Sequence, residues 1–252
     1  MMKINQLLKY SNSDKRHFIA GSIEAEQNYL KFHYKRFKIL FSYIYNLKQN
    51  GKVLDIGTTP FTFFLKENSN LEVFALDYND LLKNRTEELG IDFKSVDISK
   101  GDLPYNNDFF DIIIFAEVFE HIHSDPVRIL KSVFQKLKPG GFLILGTPNL
   151  ASFINRIKLV LNQPILDYPT WDEEVHGHDR IYVKKELQNY LNTAGYNIYK
   201  SKYSSCVDFE NTGNESKKKM ILKSIMKIIS LPLRLLIPSL NGSVIIIAQK
   251  PL

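Results

Sequence analysis

Cysteine is almost missing from the chain: Cys206 is the only one in 252 residues. No internal disulfide can form and no multi-cysteine zinc site can be built, so a reducing, cytoplasmic location is expected. Long apolar runs are scarce too. The first ten residues carry Asn5, Gln6 and Lys9 where a secretory signal needs an unbroken apolar stretch. The most apolar window, 221–240, is interrupted by Lys223, Lys227, Pro232, Arg234 and Pro238, and reads poorly against the ~20 apolar residues of a membrane span. Repeats and low-complexity tracts are absent. So is a glycine-rich phosphate turn. After the first apolar run the chain reads Asp55-Ile56-Gly57-Thr58-Thr59-Pro60-Phe61, whereas a dinucleotide pyrophosphate needs Gly-x-Gly-x-x-Gly so that backbone amides can approach it.

What is present is a globular composition, 44% hydrophobic and 24% charged, which suits one domain with additions. The net charge of +6 is unevenly placed. Residues 201–252 hold eight basic side chains against Asp208, Glu210 and Glu215, so the first 200 residues are nearly neutral. A neutral body lacks the basic groove that a nucleic-acid backbone requires, and no nucleic-acid partner is expected.

Residues 24–47 space Tyr29, Leu30, His33, Phe37, Leu40, Phe41 and Ile44 three and four apart, with Lys31, Lys35, Arg36 and Lys38 read as mostly elsewhere on the wheel. That predicts an amphipathic helix within an N-terminal extension, 1–50. From Lys52 short apolar runs alternate with helical stretches. Strands are expected at 52–56, 71–76, 92–96, 110–116 and 141–146, with helices near 60–67, 79–89 and 125–137. Apolar runs joined by helical crossovers predict an α/β fold, a Rossmann-like doubly wound and mostly parallel sheet with helices on both faces. Helices near 150–161 and 183–194 and a strand at 196–204 complete a core spanning 51–209. Residues 210–252 are read as a polar linker, a basic amphipathic segment and a final antiparallel strand at 243–249, the seventh of the sheet, all within the same domain.

Ligands of such sheets sit at the carboxyl ends of the strands. The polar residues expected there are Asp55 and Gly57, then Asp77, Asp97 and Glu117. Asp77 follows Val-Phe-Ala-Leu and lies 20 residues beyond Gly57. It can accept from both hydroxyls of a ribose, or it can cap a helix or form a turn. Asp97 is less specific, with Ile98 placed to pack on a flat base.

The ordered set Val53-Leu54-Asp55-Ile56-Gly57, Asp77, Val96-Asp97-Ile98, Gly101-Asp102-Leu103-Pro104, Phe110-Asp111-Ile112-Ile113, Glu117-Val118-Phe119-Glu120-His121 and Leu137-Lys138-Pro139-Gly140-Gly141 resembles class I S-adenosylmethionine-dependent methyltransferases. It is similar in particular to small-molecule domains of the quinone O-methyltransferase type. The resemblance implies S-adenosylmethionine as cofactor. Gly57 would allow close backbone approach to its methionine part, Asp77 would hold its ribose hydroxyls and Asp97 with Ile98 would flank its adenine, with Asp55, Thr58, Tyr78, Ala116 and Glu117 also among the cofactor-binding residues. The chain departs from the family's Asp-x-Gly-x-Gly-x-Gly turn by keeping only Gly57, so Thr59 and Phe61 would either reshape the methionine end or close it. The second outcome would leave a methyltransferase-fold binding protein without catalysis.

Methyl transfer to a hydroxyl needs a base, and the expected catalytic set is His121, Glu117 and His178, with Glu120 and His176 nearby in sequence. Glu117-x-x-Glu120-His121 resembles a run that quinone-type O-methyltransferases associate with a divalent metal, yet the same residues can cap a short helix and touch only protein. The expectation here is a site without a resident metal. His178-Asp179-Arg180-Ile181-Tyr182 resembles a segment near the substrate mouth of small-molecule methyltransferases. Alternatively, Arg180 pairs with an acid and His178 caps a helix. The fourth strand ends in Ala116-Glu117-Val118, unlike the Asn/Asp-Pro-Pro-Tyr turn of nucleic-acid amine methyltransferases. The acceptor is therefore expected to be a small molecule, a hydroxyl of a sugar, of a lipid-linked glycan or of another metabolite. The segment 217–235, with lysines on one arc and isoleucines on the other, would contact a membrane surface, cover the site or pack on the sheet.

Overall fold

The computed structural model describes residues 2–10, 23–166, 178–205 and 217–252. Two N-terminal helices, α1 (Ile4–Leu8) and α2 (Ile23–Leu47), precede β1 (Asn50–Ile56), α3 (Pro60–Asn68), β2 (Asn70–Asp77), α4 (Lys83–Glu88) and β3 (Asp92–Ser95). Then come β4 (Phe110–Ala116), α5 (Pro126–Lys136), β5 (Leu137–Pro148), α6 (Phe153–Val160), α7 (Lys184–Thr193), β6 (Asn197–Ser204), α8 (Lys217–Leu236) and β7 (Ser243–Gln249). The strands form one sheet in the order β3-β2-β1-β4-β5-β7-β6. β7 runs antiparallel to both its neighbours, and the other pairs are parallel. The doubly wound, mostly parallel seven-stranded sheet expected from the sequence is the observed fold.

Strand residues alternate between two cores, one on each face. On β4, Ile112 and Ile114 join a core with α2 and α3, while Ile113 and Phe115 join a core with α5 and α7. Because both faces are covered, the strands read as continuous apolar runs. Strand order reverses between β1 and β4, so the crevice for a ligand opens at their carboxyl ends.

Local chemistry moves several expected boundaries. The helix expected at 79–89 begins only at Lys83, because the Asn79 side chain accepts from the Leu81 amide (2.9 Å) and turns the chain first. The helix expected at 150–161 starts at Phe153, where Ser152 caps the Asn155 amide. β5 starts at Leu137 rather than 141, since Leu137 pairs with Phe110 before a register shift. Trp171, His176, Cys206 and most of the linker lie outside the described residues.

The turn after β1 is built without the glycines the family uses. Thr59, in extended conformation, caps α3 by accepting from the Phe61 amide, and Pro60 fills the first helical turn, where a missing N–H costs nothing. The Phe61 ring is buried and stacks on Phe37 of α2 at 5.2 Å between centroids. It therefore points into the core between α2 and α3. Phe61→Ala is expected to lower unfolding free energy by about 3–5 kcal/mol in urea titrations, with the far-UV spectrum of the native state retained.

Candidate functional site

Asp77 ends β2 with its carboxylate between two backbone donors: the Thr58 amide gives to one oxygen and the Tyr78 amide to the other, each at 2.8 Å. Burial raises its pKa, and the amides of Thr58, Tyr78 and Asn79 oppose that rise. Each oxygen keeps lone-pair capacity for a further donor. Thr58 is buried beside it, and its hydroxyl has no hydrogen-bond partner among the described residues. Gly57 adopts φ +89°, and a Cβ there would sit 2.3 Å from a methyl of Val118, so only glycine fits.

Asp55 points to the α3 face, where the Thr62 hydroxyl donates to it at 2.6 Å. Burial pushes its pKa up to about 7, and the nearby charge of Asp77 adds to the rise. Asp97 serves its own loop, accepting from the Ser99 hydroxyl and amide and pairing with Lys100. Ser99, with Lys100, holds its carboxyl below the usual carboxylate range. Ile98 is buried, Tyr78 is exposed, and Ala116 closes β4 opposite Gly146.

The segment after β4 carries the densest charge. Glu117 has φ +58°, an uncommon backbone for a residue with a side chain, and its amide is fixed by the Gly146 carbonyl at 2.8 Å. Its carboxylate lies 3.3 Å from the Arg36 guanidinium, an ion pair with both side chains largely buried. Arg36 also donates to the Tyr29 hydroxyl (2.9 Å) and lies near Glu120. Burial opposes the Arg36 charge, but Tyr29, Glu117 and Glu120 outweigh it. The ring of His33 packs on Tyr29 at 4.1 Å, and burial, reinforced by the Arg36 charge, pushes its pKa down to about 2. Arg36, expected mainly on the polar side of its helix, is thus a buried site residue. The missed signal was available: seven residues beyond Tyr29 and four before Leu40, Arg36 falls inside the apolar arc.

Phe119–His121 form a short 3-10 turn. Glu120 is fully buried, and neither carboxylate oxygen bonds to another described residue. Burial and the neighbouring Glu117 hold its carboxyl well above the usual carboxylate range. The Glu120 carbonyl accepts from the amides of Asp179 and Arg180 (3.0 and 3.1 Å), which pins the later loop onto this turn. The result is a cluster of Glu120, His121 and His178 with ligating atoms within 4.8 Å of one another, a donor set that a cation could take. The two imidazole rings are 4.8 Å apart, and His178 Nε2 is 3.8 Å from Glu120, a contact rather than a hydrogen bond. Arg180 pairs with Glu186 and donates to the Tyr190 hydroxyl. A cavity of about 340 Å³ opens beside the cluster, lined by Ile122, His123, Asp179, Arg180 and Tyr182. A larger one, about 600 Å³, lies at the opposite end of the strands around Asp111 and Lys138, away from this chemistry.

Comparison with known proteins places the chain in a family. A family model described as a methyltransferase domain matches residues 24–201. The chain is 30% identical over 145 residues to a ubiquinone/menaquinone biosynthesis C-methyltransferase, UbiE, of Proteus mirabilis, covering 51% of this chain and 55% of that protein. It thus spans about half the length of the curated relatives it matches. Among solved structures, a chain from the complex of the Haloferax volcanii Trm112 methyltransferase activator with a methyltransferase superposes with TM-score 0.62 at 14% identity over 98% of both chains. Haemonchus contortus phosphoethanolamine N-methyltransferase 2, in complex with S-adenosylmethionine, gives 0.57 at 14% identity over 87% of this chain and 53% of that one. At such identities the likeness concerns the fold. The chain belongs to the methyltransferase-domain family, within the class I S-adenosylmethionine-dependent methyltransferases. S-adenosylmethionine is the cofactor this membership assigns.

The residues fit that cofactor. An orphaned buried hydroxyl at Thr58, spare acceptor capacity on Asp77 and desolvated carboxyl groups at Asp55 and Asp77 suit a ligand that brings hydroxyl donors and positive charge.

Two stability outcomes follow from the buried charges. Arg36→Met strands Glu117 without its cation and is expected to cost about 3–5 kcal/mol, with Glu117→Gln in the same chain restoring part of it, read by chemical denaturation. Asp55 has a raised folded pKa, so the folded state holds a proton that the unfolded state releases. Its contribution is present below pH 4 and is lost as pH rises toward about 7. His33 slopes the opposite way below its ordinary value, so the readout is the difference between variant and parent. Asp55→Asn should gain stability relative to the parent as pH rises from 4 to 7, by at most roughly 4 kcal/mol.

Proposed function

We propose that the protein transfers the methyl group of S-adenosylmethionine to a small-molecule acceptor whose nucleophile is released by taking the proton from a hydroxyl. The observation that carries this reading is the convergence of Glu120, His121 and His178 from two separate segments on the strand-end side that also presents Asp77 and Thr58. When bound, the cofactor supplies a methyl group on positively charged sulfur, so the protein's remaining task is alignment and proton removal.

In this reading Asp77 accepts from the ribose hydroxyls, with Tyr78 beside it. Asp97 and Ile98 flank the adenine, and Asp55, Gly57, Thr58 and Ala116 shape the methionine end. His178 or His121 takes the acceptor proton. Burial favours the protonated form of Glu120, so in this reading the acceptor proton passes to an imidazole rather than to that carboxyl. Glu117, paired with Arg36, positions this group rather than acting as the base itself. Phe61, packed on Phe37, supports an open methionine end and so favours catalysis over a closed binding protein.

A deprotonated aromatic hydroxyl makes both its oxygen and its ring carbons nucleophilic, so one histidine base serves O- and C-methylation. The curated relatives are named for C-methylation in ubiquinone and menaquinone biosynthesis. Quinol-type precursors therefore stand ahead of sugar or glycan hydroxyls as acceptors. The proposed chemistry needs no metal.

Calorimetric titration with S-adenosylhomocysteine is the first test. Binding is expected, with Asp77→Ala weakening it about 10- to 150-fold, and absence of heat from the unmodified protein would sink the reading. With methyl-labelled cofactor, transfer to a quinol acceptor should exceed transfer to sugars and survive excess chelator. His178→Ala should lower kcat by roughly 10²–10⁴ with cofactor affinity unchanged.

A further inference from the structure

α8 is turned inside out. Among its described side chains the buried ones are polar, Ser230 and Arg234, one helical turn apart. The described side chains it exposes are mostly aliphatic: Ile228 is 72% exposed, Leu235 75% and Leu236 79%, with Ile221, Ile225 and Ile229 also open to solvent. A helix that merely packs on a sheet does the reverse. Contiguous exposed apolar surface of this extent marks a contact site.

The chemistry of the face selects its occupant. Lys217–Leu236 contains five lysines and one arginine and no acidic residue. Two copies of this helix would bring like charges together, which disfavours self-association through it. The face is built of isoleucine and leucine without an aromatic residue, whereas protein interface cores are enriched in aromatic, Met and Arg side chains. A lysine-rich helix with a non-directional aliphatic face matches the boundary of an anionic lipid bilayer. Among the described residues no helix is long and apolar enough to cross a membrane, so the contact is one of lying on the surface.

The placement of the helix agrees. Asn149, just beyond β5, donates to the carbonyls of Ser239 and Asn241 (2.8 and 2.7 Å) in the segment that joins α8 to β7, and bridges to Tyr182 beside the site. The same Asn149 accepts from Asn155 of α6, whose Leu159, Val160 and Leu161 form a second exposed aliphatic cluster.

We propose that α8 docks the protein on anionic membrane surfaces, its isoleucine and leucine arc entering the headgroup boundary and its lysines meeting lipid phosphates. This goes beyond the reaction proposed above and does not depend on it. The test is co-sedimentation of the full chain with vesicles of phosphatidylcholine alone or of phosphatidylcholine mixed with phosphatidylglycerol. Pelleting is expected with the anionic vesicles and not with the neutral ones. Ile225→Ser/Ile228→Ser/Ile229→Ser should weaken it by more than about tenfold while thermal melting and S-adenosylhomocysteine binding stay unchanged. Replacing Lys219, Lys223 and Lys227 by alanine should cost roughly fivefold per lysine. Absence of vesicle-dependent pelleting overturns the proposal. So does equal pelleting of the triple isoleucine variant, or a dimer in sedimentation velocity that the same variant dissolves.

Discussion

The ion pair between Arg36 and Glu117 joins a helix outside the sheet to the strand end where the chemistry gathers, and much of the site's geometry hangs from it. Two acids three residues apart, Glu117 and Glu120, are both withdrawn from water. Both lie near the Arg36 cation, and burial, with the neighbouring Glu117, favours the protonated form of Glu120. Glu117 holds a positive φ while it pairs with Arg36, and the residues that follow continue from that turn. Val118 then fills the space beside Gly57, and the Glu120 carbonyl receives the loop that brings His178. Relaxing the ion pair would loosen the cofactor turn and the imidazole cluster together.

The turn after β1 shows how the family's glycines can be replaced. Between Asp55 and Phe61 only Gly57 has positive φ, so only one glycine is conformationally required. Thr59 sits at φ −141°, open to any side chain, and its hydroxyl performs the capping that starts α3. Pro60 is preorganised for the helix, and Phe61 is carried to the face away from the strand ends. In the sequence this looked like loss of a motif. In the structure it is a helix start capped by Thr59 and begun by Pro60.

The sheet was legible because each strand, buried on both faces, is a short apolar run bounded by polar residues, and the acids that end those runs fall where strand order reverses. Asp77 and Gly57 were legible for the same reason. The imidazole cluster was only half legible, since His121 and His178 are 57 positions apart and meet through backbone bonds that no local pattern encodes. Arg36 was missed because charge was taken as the mark of the solvent face, when its position between Tyr29 and Leu40 said otherwise. A single cation inside an apolar arc is costly unless paired, so it is better read as a sign of a buried acid elsewhere in the chain.

α8 makes the complementary point about orientation. Its sequence shows two arcs, one basic and one aliphatic, but an amphipathic pattern alone does not say which arc the rest of the protein receives. The structure seats Ser230 and Arg234 inward and leaves the described isoleucines and leucines of the helix in water. Exposing this much isoleucine and leucine is unfavourable for an isolated protein, because the apolar groups are left in water. The arrangement becomes favourable when a hydrocarbon phase covers the outer arc, and the excess of lysine over acid in this segment supplies the attraction that brings an anionic surface to it. The charge that a neutral body does not need is thus concentrated on an element whose aliphatic side chains are left without cover.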